Sequence, residues 1–272
     1  MEPLFVDADG NPARICVFCQ ATGSLSKEHI LAKKWRKVLG NDVEGQFSEG
    51  WHAPRGDFGA QVPHVDNQPG QAAFSRTVNT VCRSCNNGWM NDLEKWAETA
   101  LLPLALGQEI EVDAEQLAAL QAWVAKTAII LETADPGAKA FTLPFTGVVM
   151  SNAKDETAPP SILVWAFPVE KTTKSTMRSM IGGGVYTDHQ CTGHFYRTTL
   201  LQLGAIAFIS LHAGDPLAFG MCLNAAPLEP LGDPTSVDPS TGAWVPDRTQ
   251  ALSVQAVFEL TATLHARVMR TG

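Results

Sequence analysis

Two cysteine pairs far apart in the chain are the first residues whose types and spacing indicate chemistry. Cys16 and Cys19 are separated by two residues, and so are Cys82 and Cys85. One pair cannot complete a tetrahedral zinc site, whereas four thiolates can. Disulfides are the alternative, but they require an oxidising compartment, of which the sequence gives no sign. We therefore predict a structural zinc site formed by the four cysteines.

Each cysteine pair is followed by polar residues that suit hydrolysis of a phosphodiester. Glu28 and His29 follow the first pair, and Asn86, Asn87 and Gly88 come directly after the second. Closing the zinc site brings these groups towards one another. A carboxylate and an amide oxygen suit a hard divalent cation that keeps open positions for phosphate and water. The histidine, if it is not a ligand, can take a proton from the attacking water.

These residues also have structural interpretations, which the sequence leaves open. His29 could be a surface histidine, with Glu28 an acid at the start of a helix. The Asn-Asn-Gly run could be only a turn and N-cap that opens a helix over "WMNDLEKWAETALLPL". Glu94 lies seven residues after Asn87, on the same face of that helix. It is either an additional metal ligand, a residue that supports the ligands, or a solvated acid.

The segments "CVFC", "KEHIL", "VCRSCNNGWM" and "NDLE" together resemble the HNH endonucleases of the ββα-metal (His-Me finger) group, in the variant with a four-cysteine structural zinc. They span roughly residues 14–96, about a third of the chain. In that family the acid before the histidine and a His or Asn just after the second cysteine pair hold the catalytic metal, and the histidine is the general base. The resemblance thus implies that Glu28 and Asn86 bind the metal and that His29 is the base.

The resemblance implies supporting roles for other residues, and the chain also departs from the family's pattern. Asn79 matches the family's middle asparagine, which braces the histidine loop. Asn87 and Glu94 are candidates to support the metal ligands by their positions in the chain, not by the resemblance. However, Glu28 stands where Asp is commoner, and Ala32 replaces a proline that often follows the histidine. These departures leave room for an alternative function, a non-catalytic zinc module that binds nucleic acid or a protein partner.

The implied cofactors are the structural zinc and a catalytic divalent cation, Mg²⁺ or Mn²⁺, with Zn²⁺ or Ni²⁺ as alternatives. The implied partner is nucleic acid, with DNA favoured over RNA by the resemblance alone. A formal net charge of −8 argues against non-specific coating of nucleic acid. A local basic strip is nonetheless expected to contact phosphates, with a solvated helix face as the alternative. Its members are Lys27, Lys33, Lys34, Arg36 and Lys37.

The elements that position these residues are predicted to form an α+β fold in two domains. Residues 1–107 would form the zinc-bound ββα-metal finger, with a long inserted loop at 40–76. Residues 108–272 would form a helical segment followed by a mostly antiparallel C-terminal domain of unknown role, through which the chain could form a homo-oligomer. Asp113 and Gln116 resemble a capping box at the start of the helical segment.

Several strands are predicted after residue 140, from "FTGVVM", "SILVWAFPV", "HFYRTTLLQLGAIAFISLH", "LAFGMCL" and "LSVQAVFELTATL". The segment "IGGGVY" is predicted to be a flexible turn. Cys191 and Cys222 lack partners at ligand spacing and are expected to be buried thiols. Because the chain has no run of eighteen apolar residues and no basic leader with an apolar core, we expect a cytoplasmic protein without a membrane span.

Overall fold

The protein has an α+β fold with antiparallel sheets, seen in a computed structural model. The described residues are 15–39, 48–52, 62–66, 73–133, 143–156, 162–170, 176–185, 193–213 and 235–236. Every strand pair among them is antiparallel. The predicted mixture of helices with antiparallel strands is therefore confirmed.

The chain enters the fold through a short turn and a strand. An isolated bridge between Ile15 and Thr22 closes the turn that carries the first cysteine pair. Strand β1 (Leu25–His29) follows it. A 3-10 turn (Lys33–Trp35) and the short helix α1 (Arg36–Leu39) come after the strand.

The segment predicted to be one long loop, residues 40–76, contains a pair of strands. β2 (Ser48–His52) and β3 (Val62–Asp66) form a two-stranded antiparallel sheet. The prediction of an unbroken loop was therefore wrong over these residues. Gly50 and Pro63 lie inside the strands and obscure the strand pattern, yet a two-stranded sheet tolerates both because each strand is an edge.

Strand β4 (Thr77–Cys82) returns the chain to β1 and pairs with it antiparallel. In this register Leu25 lies opposite Cys82, so the start of β1 lies beside the second cysteine pair. A helical run follows at once. It consists of α2 (Arg83–Cys85), a π-helical turn (Asn86–Met90) and α3, which is described next.

Helix α3 (Asn91–Ala105) completes the run, and the backbone kinks at Gly88, where φ and ψ are −95° and −119°. Helix α4 (Ala114–Thr133) packs against α3. The predicted capping box is confirmed at its start, because Gln116 N donates to Asp113 Oδ1 at 2.8 Å and Asp113 N donates to Gln116 Oε1 at 3.1 Å. Every residue from 117 to 132 is buried, so α4 is a central helix rather than a surface one.

Helix α5 (Leu143–Lys154) occupies the place of the first strand predicted after residue 140. The segment "FTGVVM" lies inside this helix, so that prediction was wrong. Among its residues 146–154, Thr146, Val149 and Ala153 are buried, at spacings of three and four, which is the helical period. The period becomes visible only when the polar residues after Met150 are included, whereas the short apolar run alone does not distinguish helix from strand.

The C-terminal elements form a five-stranded sheet in the order β6, β7, β8, β5, β9. The strands are β5 (Ile162–Pro168), β6 (Thr176–Val185), β7 (Gly193–Leu203), β8 (Ile206–Ala213) and β9 (Thr235–Ser236). The strands predicted from "SILVWAFPV" and "HFYRTTLLQLGAIAFISLH" are confirmed. The segments "LAFGMCL" and "LSVQAVFELTATL", with Cys191 and Cys222, lie outside the described residues.

The glycine-rich segment predicted to be a flexible turn is part of a strand. Residues 181–185 belong to β6 and pair with β7, with Gly182 opposite Tyr196 and Gly184 opposite His194. The prediction was wrong because a run of glycines is typical of a turn, whereas pairing between strands needs only backbone N–H and C=O groups, which glycine also has. None of the described helices is long and apolar enough to cross a membrane.

Most of the buried apolar residues that the structure describes form one continuous cluster, which runs from Cys16 to Phe208. Trp123 of α4 belongs to it and contacts aromatic rings on both sides, with its ring centroid 5.6 Å from that of Trp35 and 6.2 Å from that of Phe208. One helix thus packs on both the N-terminal elements and the C-terminal sheet. The predicted domain division after residue 107 stays a prediction.

Candidate metal centre and adjoining cavity

The four cysteines of the two pairs come together in one cluster. Their Sγ atoms all lie within 4.8 Å of one another, and all four are free thiols. Cys16 and Cys85 are buried, whereas Cys19 and Cys82 are partly exposed, with their sulfurs 3.5 Å apart. Tetrahedral zinc with Zn–S bonds of about 2.3 Å requires sulfurs about 3.8 Å apart. The cluster therefore fits a metal ion such as zinc.

The backbone holds the first pair against the strand that leads to the second. Gln20 N donates to Cys16 O at 3.0 Å and Cys16 N donates to Ala21 O at 3.0 Å, which curls the chain around the sulfurs. Val17 N donates to Thr80 O of β4 at 2.9 Å. The turn and the strand are thus joined independently of any metal.

The thiols of the cluster differ in acidity. Burial acts to raise the pKa of Cys82, but hydrogen bonds involving the Ser84 hydroxyl and the Cys85 backbone outweigh it and lower that pKa to about 6. Burial raises the pKa of Cys85 and of Cys19. Only thiolates bind zinc, and a bound ion would deprotonate the remaining thiols.

An open cavity of about 420 Å³ begins one residue beyond the cluster in the chain, since Asn86, which follows Cys85, lines it. The end of β1 and the helical run supply its reactive walls, which gather two carboxylates, an imidazole and three amides. These residues are Glu28, His29, Asn86, Asn87, Asn91 and Glu94. The structure therefore brings together Glu28, His29 and Asn86, the three residues predicted to carry the chemistry.

Ser26 links β1 to the helical run, and its role was not predicted. Its hydroxyl donates to Val81 O of β4 at 2.9 Å and accepts a hydrogen bond from Asn86 Nδ2 at 3.1 Å. The amide of Asn86 is thereby oriented from the strand side. Asn79, in contrast, is exposed on β4 and does not line the cavity, so its predicted bracing role stays a prediction.

His29 stands at the end of β1 and is half-buried. Its Nδ1 atom is buried and has no hydrogen-bond partner among the described residues. The strand pairing continues just past it, where Ile30 N donates to Arg76 O at 3.1 Å. The backbone of His29 is thus fixed, while no donor or acceptor in the described part of the chain pairs with its Nδ1 nitrogen.

The predicted basic strip divides into two parts. Lys27, Lys33 and Lys34 are exposed and line the cavity, whereas Arg36 and Lys37 do not line it. Lys34 also forms an ion pair with Glu98 of α3. The positive charge at the cavity is therefore carried chiefly by Lys27 and Lys33.

Lys126 was not predicted to belong to the site, yet it lies at the base of one cavity wall. It comes from α4 and is fully buried, and its Nζ lies 3.1 Å from Oε1 of Glu94. The sequence offered one signal, a lone lysine in a helix that is otherwise apolar around this position. A helix without a polar face must bury its lysine, and a buried lysine needs a partner.

Glu28 is only 6% exposed, and burial raises its pKa to about 7. The charge of Lys126 acts against this rise, whereas that of Glu94 adds to it. The three ionisable groups thus share one electrostatic environment. A divalent cation in the cavity would supply the charge that a buried carboxylate otherwise lacks.

Fold and site together define an α+β protein in which a four-cysteine cluster able to hold a metal ion adjoins a polar cavity. No protein-family model, curated protein or solved structure matches the chain.

Proposed function

We propose that the protein is a metal-dependent endonuclease of the HNH type, in which the cysteine cluster holds a structural zinc and the cavity is the catalytic site. The observation that carries this proposal is that Glu28, His29 and Asn86 line one cavity, and that Asn86 directly follows Cys85 of the cluster. The pairing of β1 with β4, followed by a helical run, supports it because two strands and a helix are the parts of a ββα-metal finger.

Each residue of the trio has a separate task in the proposed reaction. The Glu28 carboxylate and the Asn86 amide oxygen would hold a divalent cation, which when bound would supply positive charge to the scissile phosphate. His29 takes a proton from the attacking water as its oxygen bonds to phosphorus. The bond from phosphorus to the leaving oxygen breaks, and that oxygen takes a proton from solvent.

The substrate we propose is nucleic acid, with DNA favoured by the family resemblance alone. Lys27 and Lys33, which are exposed and line the cavity, would contact phosphates near the scissile one. Such contacts do not read base sequence. Because the protein as a whole is acidic, binding should be modest and should weaken steeply with salt.

The test of this function is cleavage of plasmid DNA, single-stranded DNA and RNA by zinc-loaded protein with added Mg²⁺ or Mn²⁺. His29→Ala should lower activity by about 10² or more, the usual contribution of a positioned base, without loss of metal binding. Gln108→Ala, at an exposed position outside the cavity, is the control and should leave activity unchanged.

The metal ligands are distinguished from the base by rescue. Glu28→Ala and Asn86→Ala should weaken the divalent site, so a higher Mn²⁺ concentration should partly restore their activity. The same Mn²⁺ should not restore His29→Ala. Equal rescue of all three variants would make His29 a ligand. Nucleic-acid binding that survives His29→Ala, with no cleavage by the wild type, would instead establish the non-catalytic zinc module.

A further inference from the structure

The ion pair between Lys126 and Glu94 is placed where it can control the cavity. Glu94 lies on α3, lines the cavity and keeps 13% of its side chain exposed. Lys126 reaches it from the other side of that wall and is fully buried among the apolar residues of α4. Replacing a buried ion pair by uncharged groups often leaves the free energy of unfolding unchanged or higher. Stability alone therefore does not explain why this pair is present.

Glu94 would be a good cation ligand if it were not paired. Glu94 lines the same cavity as Glu28 and Asn86, and carboxylate oxygens are preferred ligands of hard divalent cations. A cation with more protein ligands binds more tightly, but it keeps fewer positions for phosphate and water. The Lys126 ammonium already holds one oxygen of Glu94 at 3.1 Å.

The charges of this pair lie at the cavity of the proposed metal ligand, because Glu94 and Glu28 line it together. Lys126 and Glu94 carry opposite charges 3.1 Å apart, so their effects on a nearby cation oppose each other. The pair therefore leaves Glu28 as the carboxylate whose charge remains for the cation. Removing the ammonium alone would leave two uncompensated carboxylates facing one cavity.

We propose that Lys126 is a positioning residue that holds Glu94 as a neutralised wall of the cavity and keeps it from becoming a ligand of the divalent cation. This inference rests on the proposed nuclease function. Its consequence is a cation site that is weaker than its acidic residues would allow and that keeps positions open for the substrate phosphate and the attacking water.

The experiment measures Mn²⁺ binding to the zinc-loaded full chain by electron paramagnetic resonance, which detects free Mn²⁺ directly. Lys126→Met should bind Mn²⁺ about tenfold more tightly than the wild type, because a buried positive charge is lost and Glu94 is released. Its DNA cleavage at saturating Mn²⁺ should nevertheless fall. Lys126→Arg keeps the charge and should stay within about threefold of the wild type in Mn²⁺ affinity.

A double variant and a matched control complete the design. Lys126→Met/Glu94→Gln removes both charges and should keep an Mn²⁺ affinity within about threefold of the wild type, since the charges cancel. It also provides a test if Lys126→Met alone does not fold, because uncharged replacements for a buried pair are tolerated. Lys95→Met is the control, since Lys95 lies on α3 but pairs with Asp92 at the surface, and its Mn²⁺ affinity should not change.

Two results would overturn the inference. One is a folded Lys126→Met protein whose Mn²⁺ affinity equals or falls below that of the wild type. The other is a double variant that loses about tenfold or more in affinity, since Glu94 would then be a ligand in the wild type. Either result leaves the nuclease proposal standing if the wild type cleaves DNA through His29. A wild type that cleaves no nucleic acid overturns that proposal, whatever the Mn²⁺ affinities.

Discussion

At the scale of single residues, burial of Glu28 favours its protonated form, whereas the proposed metal site needs its ionised form. A carboxylate that is 6% exposed is costly to ionise without a cation beside it. The proposed metal site needs it ionised, because a protonated carboxyl group is a poor ligand for a hard cation. Binding of the divalent ion should therefore release a proton from Glu28, and the metal-free protein should bear the cost of burying that charge.

That cost should appear as a pH-dependent difference between wild type and Glu28→Gln. The pKa of Glu28 is raised from its ordinary value of 4.5 to about 7 in the fold, so the folded protein binds this proton more tightly than the unfolded chain does. Its contribution to stability is complete below 4.5 and is lost as pH rises through 7. The glutamine avoids this loss. Its advantage in free energy of unfolding should grow by about 2 kcal/mol between about pH 5.5 and about pH 8.5.

Urea unfolding of zinc-loaded protein at the two pH values measures this difference. Glu109→Gln, at an exposed carboxylate outside the cavity, should show an offset that does not vary with pH. A pH-independent offset in Glu28→Gln as well would mean that Glu28 is already ionised in the metal-free fold at the lower pH.

The residues of the site differ in how far sequence could predict them. The cysteines could be predicted because two pairs share the same spacing, with two residues between the cysteines of each pair. Glu28 and His29 could be predicted because they follow the first pair within ten residues. Lys126 and Ser26 could not, because their functions lie in contacts made only in the folded protein, with Glu94 and with Asn86. A lone lysine in an apolar helix indicates burial but does not name its partner.

At the scale of elements, local signals were reliable where the residues involved are neighbours in sequence. The capping box at Asp113 was predicted because both of its hydrogen bonds join residues three apart. The segments "FTGVVM" and "IGGGVY" were assigned wrongly because their secondary structure depends on contacts with parts of the chain that are distant in sequence. Residues 181–185 are a strand through backbone pairing with β7, and residues 145–150 are a helix with one buried face.

The tight turn between β7 and β8 joins two of these elements closely. Ala205 N donates to Ala105 O at 2.9 Å, so the sheet supplies a donor to a carbonyl at the C-terminal end of α3. Gly204 precedes Ala205 and has a φ of +53°, which favours glycine. A Cβ atom on Gly204 would lie 2.2 Å from Ala105 O, far inside van der Waals contact.

Gly204→Ala should therefore lower the free energy of unfolding by about 2 kcal/mol or more, through backbone strain together with separation of the turn from α3. Denaturant unfolding measures the loss. Gly147→Ala in α5 is the matched control, because its Cβ would lie an ordinary 4.0 Å from Phe18 O. In a helix the same change should stabilise by up to about 1 kcal/mol. Equal effects at the two positions would contradict the close contact between the turn and α3.

At the scale of the whole molecule, the site is assembled from parts of the chain that are far apart. The first cysteine pair and β1 come from residues 16–29, the second pair and the cavity's helical wall from 82–94, and the buried ammonium from α4. Local sequence could indicate the first two groups but not the third. The continuous core that surrounds Trp123 is what places α4 behind the cavity.

Zinc binding by the cysteine cluster should stabilise the folded protein, and Cys82→Ser tests this expectation. Structural zinc contributes about 10 kcal/mol or more of binding free energy, which is comparable with the entire stability of a folded domain. Losing one thiolate should therefore release the zinc and lower the midpoint of thermal unfolding. It should also abolish Mn²⁺ binding, because β1 and the helical run would no longer bring Glu28 towards Asn86.

Zinc content measured by mass spectrometry, together with thermal unfolding, decides the outcome. Cys191→Ser is the control and should keep one zinc per chain, since Cys191 has no second cysteine at ligand spacing. A Cys82→Ser protein with full zinc and an unchanged midpoint would show that the cluster is not the zinc site. Loss of zinc without loss of stability would mean that the hydrogen bond from Val17 N to Thr80 O and the surrounding core hold the first pair against β4 unaided. The zinc would then serve the chemistry of the cavity rather than the fold.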